Sequence, residues 1–163
     1  MDMKPLPWRS VSSWMCLRCG ECCGLIVQLT VREWLEITRS YGNSIVFQGI
    51  DGFFLRRTVD ERCPFILSGS DGWLCGLQYS KPLTCKIWPF RILTEPIYGE
   101  GNEAFFDYRN RRFYIYAIPH CPGITWGHPT ERLIKRVLPE FIDVRFGFKG
   151  TRHFSTSRLP FPP

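Results

Sequence analysis

The sequence predicts an α+β fold, in which a cysteine-cluster loop and short helices pack on an antiparallel sheet within one small domain. Three observations indicate this class. A helix start signal follows the first cysteines, runs of aromatic and β-branched residues separated by turns occupy the middle of the chain, and a segment with helical apolar spacing comes near its end. A chain of 163 residues can bury such a core without needing cross-links.

The first predicted elements follow the N-terminal cysteines. Residues 25–29, with the sequence Leu-Ile-Val-Gln-Leu, indicate a short buried strand. Thr30 and Glu33 have the spacing of a capping box, in which each residue bonds the backbone of the other. We therefore expect a helix over residues 31–40, ended by Gly42.

The middle of the chain has strand and turn signals. Residues 44–48 and 52–59 indicate strands, and Gly-Ser-Asp-Gly at residues 69–72 indicates a tight turn. Residues 80–88 allow a short helix, since Pro82 is tolerated in a first turn.

The last third combines strands and a helix. Residues 92–97, 104–108 and 112–118 are rich in aromatic and β-branched side chains, which indicates antiparallel strands. Residues 130–145 have apolar side chains at helical spacing, and Pro139 either kinks this helix or opens a second one.

The predicted organisation is an N-terminal extension over residues 1–15, a cysteine-cluster domain over 16–148 and a flexible tail over 149–163, loosely ordered from Gly150. The first residues, MDMKPLPWRS, include no apolar stretch of signal-peptide length, and no segment approaches the length of a membrane span. We therefore expect a cytoplasmic protein without a membrane partner, whose thiols stay reduced.

Eight cysteines are the candidate functional residues. Residues 16–23, Cys-Leu-Arg-Cys-Gly-Glu-Cys-Cys, have the two-residue spacers that aim neighbouring thiolates at one metal centre. Neighbouring side chains tend to point in different directions, so we expect Cys22 and Cys23 to serve two centres or to leave one thiol idle. The distant cysteines are expected to fold back onto this segment. The candidate metal and cofactor ligands are Cys16, Cys19, Cys22, Cys23, Cys63, Cys75, Cys85 and Cys121.

The spacing allows two kinds of metal. The C-x2-C-x2-C order and the pairs Cys63-Pro64 and Cys121-Pro122 favour an iron–sulfur cluster, preferably 4Fe–4S. Zinc is the alternative, because all-cysteine zinc sites use the same C-x2-C unit.

The pattern of cysteine-containing segments is specific. Four segments contribute to it in this order, namely residues 16–23, 63–67 (Cys-Pro-Phe-Ile-Leu), 72–79 (Gly-Trp-Leu-Cys-Gly-Leu-Gln-Tyr) and 81–90 (Lys-Pro-Leu-Thr-Cys-Lys-Ile-Trp-Pro-Phe). The chain resembles the CxxCxxCC family of zinc- or iron-chelating domains, also called YkgJ-like cysteine-cluster proteins, which are related to flagellin lysine methylases. The resemblance implies a cysteine-rich metal domain over roughly residues 16–123 and, if the protein is an enzyme, a protein-modifying activity such as lysine methylation. The family usually has Arg where this chain has Lys81 and Lys86.

The net charge of +6 is unevenly distributed. Residues 109–163 contain ten basic and three acidic residues, whereas residues 1–108 are nearly balanced. A basic C-terminal surface could bind an acidic protein or nucleic acid, but solvated charge is the simpler explanation. The basic residues close to cysteines in sequence, which could offset thiolate charge, are Arg18, Arg62, Lys81, Lys86 and Arg91.

Other chemistries have less support. Cys19 and Cys23 have the first spacing of the C-x3-C-x2-C motif of radical enzymes, but the third cysteine of that motif would stand at position 26, which is Ile26. No glycine-rich nucleotide-binding motif occurs. His120 is better explained by local packing than as a ligand. The aromatic residues of the predicted strands on either side of Arg109 could stack on nucleic-acid bases. Aromatic residues in strands usually form the hydrophobic core, however, so nucleic acid is the less favoured partner.

These observations favour a metal-binding protein that holds an iron–sulfur cluster and acts in electron transfer or in protein modification and maturation. The expected partner is another protein, either a redox partner or a modification target. The alternative is a zinc-stabilised interaction module whose basic C-terminal surface binds an acidic protein or nucleic acid. The sequence leaves open whether the protein is an enzyme.

Overall fold

The computed structural model describes residues 4–158 and confirms the α+β class. The described chain divides into two compact units, which we call the terminal unit (residues 4–17 and 87–158) and the middle unit (residues 18–86). Their elements, in chain order, are β1 (Leu6–Pro7), β2 (Val11–Trp14), β3 (Gln28–Leu29), α1 (Val31–Tyr41), β4 (Val46–Gly49), β5 (Gly52–Leu55), β6 (Ile66–Gly69), β7 (Gly72–Cys75), α2 (Leu83–Lys86), β8 (Phe90–Leu93), α3 (Gly101–Ala104), β9 (Phe105–Tyr108), β10 (Arg111–Ala117), β11 (Ile124–Trp126) and α4 (Leu138–Phe146).

The middle unit is built around helix α1 and an antiparallel sheet with the strand order β3-β5-β4. The predicted capping box is confirmed, because the Thr30 hydroxyl accepts from the Glu33 amide and the Glu33 carboxylate accepts from the Thr30 amide. Gly42 ends the helix with a φ of +89°, a value that favours glycine. Trp34 stacks on Phe53 of β5 with ring centroids 4.3 Å apart, which fixes the helix on the sheet.

The strands of this unit are shorter than predicted. Residues 25–27 are irregular and β3 covers only Gln28–Leu29, while Asn43–Ile45 form a 3-10 turn before β4. The predicted turn at residues 69–72 is confirmed as the tight connection of the β6–β7 hairpin, in which Gly69 pairs with Gly72.

The terminal unit contains a four-stranded antiparallel sheet. Strand β10 is its centre and pairs with β1, β8 and β9, while β2 and β11 form a separate pair. The three strands predicted after residue 90 exist and are antiparallel, although the first covers Phe90–Leu93 and residues 94–97, also predicted as strand, are irregular. The N-terminal residues also contribute, since β1 and β2 fall within the segment expected to be an extension. The domain bounds inferred from the sequence stay a prediction.

An aromatic cluster forms the centre of the terminal unit. The rings of Trp14, Phe90 and Phe141 contact one another edge to face, with centroid separations of 5.0 to 6.2 Å. Each of these side chains is at least 94% buried. Such packing combines large apolar burial with a favourable ring geometry, so it anchors β2, β8 and α4 together.

The C-terminal helix begins after Thr130 and continues to Phe146, with Leu133–Val137 in π geometry. Pro139 has no amide hydrogen to bond the preceding turn, and the wide turn before it accommodates this loss. The helix is thus continuous, with an irregular turn where the sequence predicted a kink or a break. None of the helices among the described residues has both the length and the apolar character that crossing a membrane requires.

Residues 153–155 are tied to α4, although we expected the chain from Gly150 to be loosely ordered. The buried carboxylate of Glu140 accepts hydrogen bonds from the backbone amides of His153, Phe154 and Ser155, at 2.8 to 3.0 Å. A single buried acidic side chain therefore orders this segment. The ends of the chain, residues 1–3 and 159–163, lie outside the described residues.

Candidate metal centre

The middle unit brings five cysteine thiols into mutual electrostatic contact, together with the amino group of Lys81. Three elements supply them, namely the N-terminal loop, the β6–β7 hairpin with the residues before it, and helix α2. Their neighbours include the apolar core formed by residues such as Val27 and Leu77. The five are Cys22, Cys23, Cys63, Cys75 and Cys85, which we call the thiol cluster.

A tight turn positions the first two thiols. Gly20 adopts a φ of +78° and opens a 3-10 turn over residues 21–24, in which the Cys23 amide donates to the Gly20 carbonyl. A Cβ at position 20 would also lie 2.6 Å from Cδ1 of Trp73. Glycine is required here both by the backbone conformation and by the tryptophan that covers it.

Backbone hydrogen bonds join this loop to the segment around Cys63 and Cys75. The Cys63 amide donates to the Cys23 carbonyl at 2.6 Å. On the hairpin, Cys75 lies opposite Ile66, whose own amide donates to the Cys63 carbonyl. The spacing of these three cysteines is therefore set by main-chain bonds rather than by side-chain packing alone.

Helix α2 supplies the fifth thiol. The Cys85 amide donates to the Pro82 carbonyl, which forms the first turn of the helix. The Leu83 amide donates to Oε1 of Glu33 at 2.6 Å, so a side chain of α1 caps α2. The Thr84 hydroxyl donates to the Gln28 carbonyl at 3.1 Å and adds a second link to the sheet.

The thiols differ in their tendency to ionise. The Cys23 thiol donates a hydrogen bond to Cys22, which lowers the pKa of Cys22 to about 7 against the opposing effect of burial. The same hydrogen bond, together with burial, raises the pKa of Cys23. Burial also raises the pKa of the Cys63, Cys75 and Cys85 thiols. In the protein without metal, Cys22 is therefore the thiol of the cluster that ionises most readily, and the other four tend to stay protonated.

Lys81 is the basic group that faces the cluster. Its side chain is only 6% exposed, and its positive charge lowers the pKa of Cys22, Cys75 and Cys85. The sequence suggested it as one of five residues able to offset thiolate charge, and the structure supports that role for Lys81. A buried lysine beside thiols offsets the negative charge that metal-bound thiolates would introduce.

The remaining three predicted ligands are placed differently. Cys19 belongs to the middle unit and is exposed. Cys16 and Cys121 belong to the terminal unit, where Cys121 is buried and its Sγ accepts a hydrogen bond from Nε1 of Trp14 at 3.3 Å. The Met15 amide donates to the Gly123 carbonyl, so the segments that contain Cys16 and Cys121 run side by side.

The expected folding back of the distant cysteines therefore occurs within the middle unit for Cys63, Cys75 and Cys85, which meet Cys22 and Cys23. Cys121 lies in the terminal unit with Cys16. The complete eight-residue ligand set stays a prediction.

The donor chemistry fits a zinc ion or an iron centre, since both bind cysteine thiolates. All eight cysteines, which lie within the described chain, are present as thiols. Among residues 4–158, no three Cys, His, Asp or Glu side chains are already arranged to hold a metal ion. The cysteines therefore fit such a metal in the type and number of their sulfur donors. Binding would require the thiols to move closer together.

Two supporting residues were not evident from the sequence. Glu33 was assigned only to the capping box, and its second bond to Leu83 depends on a contact across fifty residues. Trp14 lies two residues before Cys16, but its hydrogen bond to Cys121 spans 107 residues. Only the presence of an aromatic residue two positions before the first cysteine could have suggested such a role.

Comparison with known protein families is consistent with a metal-binding role for the cysteines. The model of one family, CxxCxxCC, described as "Putative zinc- or iron-chelating domain", matches residues 15–122. No curated protein and no solved structure matches the chain significantly. Since the family model covers about two thirds of the sequence, including all eight cysteines, the chain belongs to the CxxCxxCC family of zinc- or iron-chelating domains.

Proposed function

We propose that the thiol cluster of the middle unit holds an iron–sulfur cluster, with 4Fe–4S favoured, and that the protein acts in electron transfer or in protein modification and maturation. The observation that carries this proposal is the gathering of the five thiols of the cluster, three of which, Cys22, Cys75 and Cys85, interact with the charge of the buried Lys81. Family membership supports the metal itself.

Several features favour iron–sulfur over zinc. The cluster contains five thiols, one more than the four of an all-cysteine zinc site. Cys63 precedes Pro64, as a ferredoxin-type ligand does. The apolar core beside these thiols, which includes Val27 and Leu77, provides a shielded environment of the kind that tunes cluster potentials.

When bound, an iron–sulfur cluster would supply one-electron transfer. In this proposal, four thiols of the cluster hold it, Lys81 offsets their charge, and the hairpin residue Trp73 covers the loop through its contact with Gly20. The partner is another protein that exchanges electrons with the centre or is modified by it. In this proposal, exposed Cys19 serves as an auxiliary ligand or contacts such a partner.

The deciding experiment is metal and sulfide analysis of the full chain purified without oxygen. We expect iron and acid-labile sulfide in similar amounts, with a broad visible absorption band. Cys63→Ser and Cys85→Ser should lose both, whereas Ser70→Ala, an exposed substitution in the β6–β7 turn, should leave both unchanged. Colourless protein that contains zinc and no sulfide would overturn the iron–sulfur assignment.

The zinc-stabilised interaction module is the second candidate, and the exposure of Arg111, Arg112 and Arg136 in the terminal unit favours it. Such a module should contain zinc, unfold on chelation and bind an acidic partner in a salt-sensitive way. The same metal analysis separates it from the first candidate.

A further inference from the structure

We propose that the terminal unit contains a binding pocket for a small organic carboxylate with an apolar body. The observation is a cavity of about 350 Å³ formed by β2, β11, the C-terminal helix and the segment after it. This volume lies within the range of small-molecule sites in proteins. All residues that line the cavity belong to the terminal unit.

The inner wall of the cavity is apolar and rigid. Trp14, Leu133 and Val137 line it, and each is at least 94% buried because it also belongs to the core of the unit. Phe154 adds an aromatic ring from the segment that Glu140 holds in place. A wall that is already packed can accept an apolar group without first having to become ordered.

The polar groups of the cavity are basic or neutral. Arg132 and His153 line it, and the described residues that line the cavity include no Asp or Glu, while the nearby carboxylate of Glu140 is occupied by the backbone amides of residues 153–155. The guanidinium of Arg132 lies over the ring of Phe154, 5.0 Å from its centroid, which holds the charge at the wall. An arginine fixed in this way can form a paired hydrogen bond with a carboxylate.

Hydroxyl groups also line the cavity beside the basic side chains. Ser13 of β2 and Thr125 of β11 are directly opposite each other in the strand pair, and both line the cavity. Residues that face each other in an antiparallel pair present their side chains on the same side. These hydroxyls can bond the second oxygen of a bound carboxylate or a polar substituent on its body.

The cavity also adjoins two predicted metal ligands. Met15 and Leu17 flank Cys16, Pro122 and Gly123 follow Cys121, and all four line the cavity. A carboxylate bound there would thus lie next to the segments that contain both cysteines, although neither cysteine lines the cavity. The pocket itself does not depend on the metal, because its walls are formed by side chains and main chain of the terminal unit.

The experiment compares three probes of one shape with the full-length protein as purified, namely 4-phenylbutyrate, the neutral 4-phenylbutanamide and the cationic 4-phenylbutylamine. Binding is measured by ligand-observed NMR and calorimetry, and metal and sulfide are measured on the same samples. We expect the carboxylate to bind and the amide to bind about tenfold more weakly, since the neutral amide cannot form an ion pair with Arg132. The amine should bind most weakly.

Two variants test the location of the site. Arg132→Gln should weaken binding of the carboxylate about tenfold and change the affinity for the amide much less, since only the carboxylate loses an ion pair. Thr125→Phe should block all three probes by filling the exposed mouth of the cavity. Arg136→Gln is the matched control, since Arg136 is exposed on the same helix and does not line the cavity. Circular dichroism and the thermal midpoint verify that each variant is folded.

The proposal is overturned if the amide binds as tightly as the carboxylate, if Arg136→Gln weakens binding as much as Arg132→Gln, or if no probe binds at about 10 mM. Failure of the metal assignment would appear separately, in the metal and sulfide content, so the two conclusions can be judged independently.

Discussion

The carboxylate of Glu33 accepts a hydrogen bond from the backbone amide of Leu83 at 2.6 Å, and with its other oxygen it accepts from the amide of Thr30 at 2.8 Å. One side chain therefore caps two helices, α1 and α2. Because Cys85 lies on α2, this carboxylate also links α1 to an element that carries a thiol of the cluster.

We expect Glu33→Ala to lower the free energy of unfolding by about 1 to 3 kcal/mol, since two backbone amides lose a charged acceptor. Metal retention should fall as well, because α2 loses its cap. The measurement is urea denaturation together with metal content after dialysis. Glu36→Ala is the control, since Glu36 makes an exposed ion pair with Arg32 that should contribute less than about 1 kcal/mol. Equal effects of the two variants would contradict the role of Glu33.

Gly20→Ala should destabilise the protein by about 1 to 3 kcal/mol, because a Cβ at this position meets Trp73 and the backbone is in the left-handed region. Gly24→Ala is a matched control at the other end of the same turn, where a Cβ would have nothing within 4 Å. Thermal denaturation of both variants tests the difference. A Gly20 variant as stable as the Gly24 variant would show that the turn can relax.

Lys81→Met should weaken metal binding about tenfold or more, the range seen when residues that support metal ligands are lost. The physical reason is that metal-bound thiolates would then lack their buried positive charge. Lys86→Met, a neighbouring change on α2, should have a smaller effect because Lys86 is only half-buried. Competition with a chromophoric chelator measures both affinities. If Lys81→Met binds metal as the wild type does, Lys81 has no part in the centre.

Metal affinity should rise with pH across the neutral range. Burial raises the pKa of the Cys63 and Cys75 thiols, so these groups keep their protons to higher pH than an ordinary cysteine and must lose them on binding. As the pH increases, this competition from protons decreases. Titration with Zn²⁺ between about pH 6 and 9, with proton release measured in weak buffer, tests the direction. Affinity that does not change with pH would contradict it.

Glu140→Ala should release the segment around residues 153–155 and destabilise the terminal unit by about 2 to 3 kcal/mol, since a buried charged acceptor of several amides is removed. Limited proteolysis should then cut near residue 150. Binding of 4-phenylbutyrate should weaken too, because His153 and Phe154 line the cavity. Glu131→Ala, which removes only an exposed partner of Lys135, should leave both properties intact.

Much of the local structure could be predicted from neighbouring residues. The capping box of Thr30 and Glu33, the turn at residues 69–72 and the aromatic strands after residue 90 depend on short-range patterns, and all are present. The first strand was overestimated, because Val27 packs in the core while Ile26 is exposed, and regular pairing with β5 begins only at Gln28. The segment after Gly150 was misjudged, since nothing near it in sequence shows that Glu140 binds it.

The sequence by itself determined the family, the α+β class and the chemistry of the candidate site, since the spacing of cysteines and the local propensities of their neighbours are properties of short segments. Only the tertiary structure decided which thiols meet. Cys63, Cys75 and Cys85 join Cys22 and Cys23 because main-chain hydrogen bonds and the cap from Glu33 bring distant segments together. Cys121 lies in the terminal unit, where Trp14 donates to it. Such contacts depend on the packing of whole elements, and no local pattern specifies them.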